Sequence, residues 1–388
     1  MCQTRGSARS PVLCIVPPHM LKHLARTESP ELSGWALHTL SLSERLRGTR
    51  TVLGPIAPLA VTPAGAKRRA VYDARHTETL PGRLVRSEGD PPKSDPAVNE
   101  AYDGAGFTYD LYFNVYGRNS IDDRGMRIDS SVHYGVKFDN AFWDGRQMVY
   151  GDGDGTVFRR FTVALDVIGH ELTHGVTDFE AALDYQDQSG ALNESCSDVF
   201  GSLVKQYHLG QTAADADWLI GAGLFARGVQ GVALRSMKAP GTAYDDPRLG
   251  KDPQPASMKD YVQTHEDSGG VHINSGIPNR AFYLAATAIG GRAWERAGKI
   301  WYVALRDRLR HDSDFAAAAR LTAEVAAALY GADGPEAAAV RDAWNEVGVS
   351  AAPAARRTGA NRVRAQRRAG GHERPPRPRG RRPRRRRA

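Results

Sequence analysis

Asp166-Val167-Ile168-Gly169-His170-Glu171-Leu172-Thr173-His174 is the stretch on which the reading of this chain turns. On a helix, histidines four positions apart project from one face a turn apart, with the intervening glutamate beside them. Imidazoles at this spacing can hold a zinc ion, and the glutamate is then placed to act as a general base. Phe161, Val163, Leu165, Val167, Ile168, Leu172 and Val176 flank the motif, so a helix over 161–178 is predicted to be buried on most sides. Buried paired histidines beside a carboxylate require a chemical reason.

Two nitrogens do not complete a zinc site. Downstream, Gly190-Ala191-Leu192-Asn193-Glu194-Ser195-Cys196-Ser197-Asp198 opens a second predicted helix, 190–207, and Glu194 follows His174 by 20 residues. His170, His174 and Glu194 make two imidazoles and a carboxylate, leaving a fourth position for water, as catalytic zinc sites do. Asp198, one turn on, is placed to accept the remaining ring N–H of a ligand histidine.

Further helices are predicted at 279–289, 292–310, 314–330 and 335–346, from Ala/Leu/Arg-rich runs with apolar residues at three and four spacing. Residues 70–158 are rich in Tyr, Val, Phe, Gly and Asp with frequent turn signals, and read as mostly twisted antiparallel sheet, with 109–113 as strand and 151–155 as turn. Upstream, the apolar spacing from Cys14 to Leu46 suits short amphipathic helices that need a surface to dock on. The basic Lys67-Arg68-Arg69 reads as the exposed, cleavable boundary of a prosegment, with an ordinary small domain and linker as the alternative. The expected fold class is α+β, in four parts: a propeptide (1–69), a β-rich lobe (70–160), the metal-motif helix with a helical lobe (161–350), and a tail (351–388).

The formal charge of +8 on 388 residues is concentrated at one end, where residues 351–388 carry 15 Arg and one acid. The rest is mildly acidic, so the charge does not describe a nucleic-acid-binding body. The tail is Pro/Arg/Gly low complexity, predicted disordered, and lacks the interleaved aromatics of a base-stacking platform; no specific nucleic-acid partner is expected. Three cysteines, Cys2, Cys14 and Cys196, exclude a disulfide framework. No stretch is long and apolar enough to span a membrane, and no classical signal peptide is readable.

Taken together, the motifs resemble the thermolysin-like zinc metalloproteases from about Val71 to Val349. The resemblance implies a two-lobed fold with the metal helix at the junction, and an endopeptidase with one catalytic zinc and Glu171 as base. It implies that Asn140 and Ala141, in Asn140-Ala141-Phe142-Trp143, pair with substrate backbone and that Arg235 grips a substrate carbonyl. Tyr185 and His272 match the pair that stabilises the oxyanion, and Asp267 the carboxylate that orients His272. Phe158, Phe161, Val167, Ile220, Leu224 and Leu234 match the pocket that selects a large apolar residue just after the cut bond. Metzincins need Gly and His where Thr177 and Glu180 stand, and the Gly-x-Met-Glu-Asn strand of zinc aminopeptidases is absent. A catalytically inactive scaffold, or a nucleic-acid binder acting through the tail, is the rival from another class; the full set of expected catalytic residue types argues against the first.

The chain departs from the family at its double calcium cluster. Asp166 and Asp217 are present, but Lys205 and Ala222 occupy the other matching positions, and an ammonium there would replace the cation. The double calcium site is therefore expected to be absent. With Pro17-Pro18-His19-Met20-Leu21 and the short leading segment, this looks like the protealysin subgroup, which implies an autoprocessed propeptide acting as an intramolecular inhibitor, peptide and protein substrates, and a monomer. Relatives in that subgroup also lack an ordinary signal peptide; secretion is the expectation and a cytoplasmic enzyme the alternative.

Overall fold

A computed structural model describes residues 13–52 and 63–351 of the chain. Cys2, the first and the 53–62 parts of the expected propeptide, and the tail beyond Ala351 lie outside the described residues. Six strands form one sheet: β1 (Leu13–Cys14), β2 (Arg69–Asp73), β3 (Arg83–Ser87), β4 (Ile128–Val132), β5 (Ala141–Trp143) and β6 (Gln147–Tyr150), in the order β1-β5-β6-β4-β2-β3. The antiparallel reading holds for β1/β5, β5/β6 and β2/β3, but β2/β4 and β4/β6 are parallel. The sheet is mixed.

The expectation that 70–158 is mostly strand is corrected by α3, which follows α1 (Pro18–Leu24) and α2 (Pro30–Val52) and runs from Pro96 to Tyr116. Its aromatic content carries a strand propensity, but its ends carry helix signals. Asp95 caps it by accepting from Ala97 N, Pro96 takes the first turn, and Gly117 closes it in the left-handed conformation, each favoured at those positions. Ala101, Tyr102, Ala105, Tyr109, Tyr112 and Tyr116 are buried at three- and four-residue spacing, so burying one helical face outweighed strand preference. The 109–113 segment read as strand lies inside this helix.

After a short 3₁₀ turn at Phe161–Val163 come α4 (Leu165–Phe179) and α5 (Asp187–Leu209). The metal-motif helix thus starts four residues later than predicted, because Ala164 is extended. The helical lobe continues with α6 (Asp267–Asn274), α7 (Gly276–Ile289), α8 (Ala297–Asp307), α9 (Phe315–Tyr330) and α10 (Pro335–Glu346). Two glycines set the α4/α5 crossing. A Cβ on Gly201 would lie 2.4 Å from the Asp166 carbonyl oxygen, and one on Gly169 would lie 3.0 Å from Gly201 Cα. That close approach brings side chains of α5 against the histidines of α4.

The amino-terminal segment packs on this body. Met20, Leu21 and Leu24 of α1 are buried, Leu42 of α2 joins Tyr134, Phe138 and Phe142, and Lys22 pairs with Glu266 at 2.9 Å.

Candidate metal centre and peptide cleft

His170 and His174 of α4 face each other with Nε2 atoms 3.0 Å apart. Their Nδ1 atoms are engaged elsewhere: His170 Nδ1 lies 2.8 Å from Asp198 Oδ1, and His174 Nδ1 lies 2.8 Å from Asn193 Oδ1 and 2.9 Å from Ser197 Oγ. A carboxylate only accepts, so His170 donates from Nδ1, the arrangement that leaves Nε2 of a ligand histidine to a metal. Glu194 brings Oε2 to 3.5 Å from His170 Nε2 and Oε1 to 3.5 Å from His174 Nε2. All three side chains are wholly buried.

Lone pairs and carboxylate oxygens converging without a positive charge would repel. Glu194 Oε2 and Glu171 Oε1 are buried with no hydrogen-bond partner. Four carboxylates, Glu171, Glu194, Asp198 and Asp267, share the region with Arg235 and with His272, whose two ring nitrogens face the Asp267 carboxylate and a carbonyl oxygen. Even with Glu171 neutral, the carboxylates outnumber the cations. Donor spacings of 3.0 to 3.5 Å match the roughly 3.4 Å edges of a tetrahedron with zinc–ligand bonds of about 2.0–2.2 Å. The residues fit a zinc ion. Glu171, also buried, accepts from Trp143 N at 3.1 Å, which fixes its carboxylate beside the triad. Burial first, and then the charge of Glu194, raise its pKa well above the usual carboxylate range.

Asp198 also accepts from Arg235 Nε and Nη2 at 2.9 and 2.8 Å and from Asn279 Nδ2 at 2.8 Å. Burial opposes its charge, but Arg235 and His170 hold its pKa below the usual range. Tyr185 Oη donates to Glu194 and lies 3.3 Å from His272 Nε2, and Asp267 accepts from His272 Nδ1 at 2.7 Å. Tyr185, His272 and Asp267 are thus assembled beside the triad. Asn193, Ser197 and Asn279, which hold its far side, carried no sequence signal: a polar residue inside a helix says nothing of burial until its neighbours are known.

The cleft is occupied by the chain itself. Residues 13–14 pair antiparallel with β5, and Ile15 N donates to Ala141 O at 3.2 Å. Val16 N donates to Asn140 Oδ1 at 2.9 Å. Arg235 Nη1 donates to the Ile15 carbonyl at 3.0 Å, and His272 Nε2 to the Cys14 carbonyl at 3.0 Å. Successive side chains alternate faces: Cys14 packs with Tyr134, Phe138 and Phe142, whereas Ile15 enters the main core, to which Phe158, Phe161, Val167, Ile220, Leu224 and Leu234 also belong.

Residues 64–178 match the thermolysin metallopeptidase catalytic domain, and residues 181–349 its alpha-helical domain. An extracellular metalloprotease of Pectobacterium carotovorum subsp. carotovorum is 52% identical over 340 residues, 87% of this chain and 97% of that protein. The chain belongs to the thermolysin metallopeptidase family. Within the family it is protealysin-like. The solved precursor of protealysin, a metalloproteinase from Serratia proteamaculans, superposes with a TM-score of 0.80 at 55% identity, covering 87% of this chain and 100% of that one. A thermolysin of Alicyclobacillus acidocaldarius subsp. acidocaldarius is 44% identical over 288 residues, 72% of this chain and 50% of that protein.

Lys205, Asp166 and Asp217, expected where a double calcium site would lie, also come together. Lys205 Nζ donates to Asp166 Oδ2 at 2.7 Å and to the Leu219 carbonyl at 3.0 Å, and lies 2.9 Å from Asp217 Oδ1. Burial disfavours its charge, yet the two aspartates raise its pKa. Asp166 also accepts from Gly221 N at 3.1 Å. The three residues meet, with an ammonium among them.

Proposed function

We propose that this metallopeptidase is a zinc-dependent neutral endopeptidase that cuts peptide bonds on the amino side of large apolar residues, made as an autoprocessed proenzyme. The observation that carries the reading is the seating of Cys14-Ile15-Val16. This backbone meets four of the groups assigned to substrate: a carbonyl on His272, the next carbonyl on Arg235, the intervening N–H on Ala141 and the following N–H on Asn140. The bond in the cutting position is Cys14–Ile15, and the residue after it is apolar.

His170, His174 and Glu194 would hold the zinc, which as a Lewis acid lowers the pKa of water to about 7. Glu171 takes a proton from the attacking water and returns it to the leaving amide nitrogen. One C–N bond breaks, one C–O bond forms, and a carboxylate and an amine leave. His272 and Tyr185 donate to the oxygen on which negative charge grows, and Asp267 keeps His272 oriented and charged; removing one such donor typically costs about 100-fold or more. Asn140, Ala141 and Arg235 fix the register of the peptide, and Asp198 positions both Arg235 and His170. Phe158, Phe161, Val167, Ile220, Leu224 and Leu234 enclose the side chain after the cut. Lys205 takes the place of the double calcium by pairing with Asp166 and Asp217.

The propeptide, residues 1–69, inhibits by filling the cleft. Its release requires a cut near Lys67–Arg69, just ahead of a strand paired on both edges. The catalytic lobes are then 70–160 and 161–350. The names of extracellular relatives support export of the processed enzyme, a monomer acting on peptides and proteins. Digestion of a peptide library by processed protein, read by mass spectrometry, tests the specificity: cuts before Leu, Phe and Ile are expected, and cuts before acidic residues at equal rate would overturn it. Full-length Glu171→Gln protein should stay uncut in isolation; self-cleavage of the pure variant would contradict autoprocessing.

A further inference from the structure

We propose that His76, His133 and Asp152 form a second site for a divalent transition metal, sharing no residue with the buried triad and independent of proteolysis, with Asp95 holding His133 in the ligating tautomer. The sheet explains why these three meet. Strands β2, β4 and β6 are neighbours and run parallel, so their carboxyl ends lie along one edge. His76 follows β2 by three residues, His133 follows β4 directly and Asp152 follows β6 by two.

The donor atoms converge without rearrangement of the fold. His133 Nδ1 lies 2.9 and 3.0 Å from the two Asp152 oxygens, His76 Nδ1 lies 3.4 Å from Asp152 Oδ2, and one ligand atom from each residue lies within 4.8 Å of the others. Bonds of about 2.0–2.2 Å to zinc place tetrahedral ligands roughly 3.4 Å apart, so closing the set needs only a small swing of the His76 ring, whose side chain is 59% exposed. Two imidazoles and one carboxylate select zinc, cobalt, nickel or copper over calcium and magnesium, which take oxygen ligands.

A built site also has its ligands held from behind. Asp95 uses Oδ1 to cap α3 at Ala97 N, 2.9 Å away, and Oδ2 to reach His133 Nε2 at 2.7 Å. A carboxylate on the far ring nitrogen fixes orientation and leaves the other nitrogen for the ion. His76 N donates to the His133 carbonyl at 2.8 Å, tying the two ligand residues through their backbones. Arg75, His76 and His133 all have φ near +55°, at 53°, 58° and 56°. Thr77 N bonds Ala74 O at 2.9 Å across the first two, a turn that ordinarily takes Asn and Gly. Side chains kept in this region against their preference point to a use for them.

The competing account is a plain ion pair of His133 with its two aspartates, which has no need of His76. Full-length Glu171→Gln protein, which keeps the buried triad and does not process itself, is dialysed against micromolar zinc and its metal content measured. Two ions per chain are expected in this parent and one after His76→Ala or Asp152→Asn. Cobalt in the second site should add visible absorption that His76→Ala removes, while the processed His76→Ala enzyme keeps its turnover. Equal metal content in parent and His76→Ala, one ion or two, overturns the proposal.

Discussion

Helices α4 and α5 build two polar clusters side by side, and they answer the same electrostatic problem in opposite ways. At His170, His174 and Glu194 the chain turns two imidazole nitrogens and a carboxylate toward one point, one oxygen each of Glu194 and Glu171 lacks a partner, and carboxylates outnumber cations. One turn earlier on α4, Asp166 meets a cation that the chain carries itself, Lys205, two turns beyond Asp198 on α5. The first cluster depends on what solution provides; the second is complete on folding. Function sits where the charge is left unbalanced, and stability where the chain's own ammonium balances it.

The comparison breaks if Lys205 is dispensable. Lys205→Ala leaves Asp166, only 1% exposed, without its cation, and removing one partner of a buried pair typically costs about 3–5 kcal/mol. Thermal unfolding should register that loss, and millimolar calcium should restore part of it in the variant. An unchanged melting temperature would mean that Lys205 does not replace a cation.

A smaller effect is expected where a partly buried group must stay neutral. His19 of α1 bonds Tyr244 Oη at 2.9 Å. Burial, opposed by Asp267 and joined by His272, His23 and Arg235, lowers its pKa to about 4. The docked propeptide therefore binds fewer protons than the free one. Its attachment is at full strength above pH 6.5 and is lost progressively toward pH 4, by about 3 kcal/mol in all. Hydrogen-exchange protection of residues 18–24 in full-length Glu171→Gln protein, taken relative to the intrinsic rate at each pH, should fall over that window, and His19→Gln should flatten the response. Parallel pH profiles would contradict this assignment.

Asp198→Asn sharpens the other half of the contrast, since it weakens the support behind His170 without touching a ligand. Zinc affinity should fall by about 10- to 100-fold in a competition titration with a chelator, whereas unaltered affinity would detach Asp198 from the metal. The smallest effect is on the unmodified protein. A calcium-selective chelator should leave its melting temperature and zinc content alone, and a large calcium-dependent loss would show that Lys205 has not taken over the cluster.

What the sequence made legible follows from how far apart the informative residues lie. His170, Glu171 and His174 sit within one helical turn, and Glu194 and Asp198 within the next helix, so fixed helical geometry carries their reading into space. Tyr109 to Phe113 misled because aromatic residues favour strands locally, while the helix around them is decided by its caps and by burial of one face. The meeting of His76, His133 and Asp152 was invisible, because parallel pairing of β2, β4 and β6 creates it and no local spacing encodes that. The register of Cys14-Ile15-Val16 was equally hidden: docking helices could be read from apolar spacing, but not which carbonyl would reach His272.

The most direct measurement of the central claim is hydrolysis of an internally quenched peptide containing Gly-Leu by the processed enzyme, alongside its Glu171→Gln variant and with o-phenanthroline. Cutting before leucine that the chelator stops, zinc bound equally by both proteins, and turnover in the variant reduced beyond detection would bear out the triad and its base. Chelator-resistant cutting, or a variant as active as its parent, would contradict them.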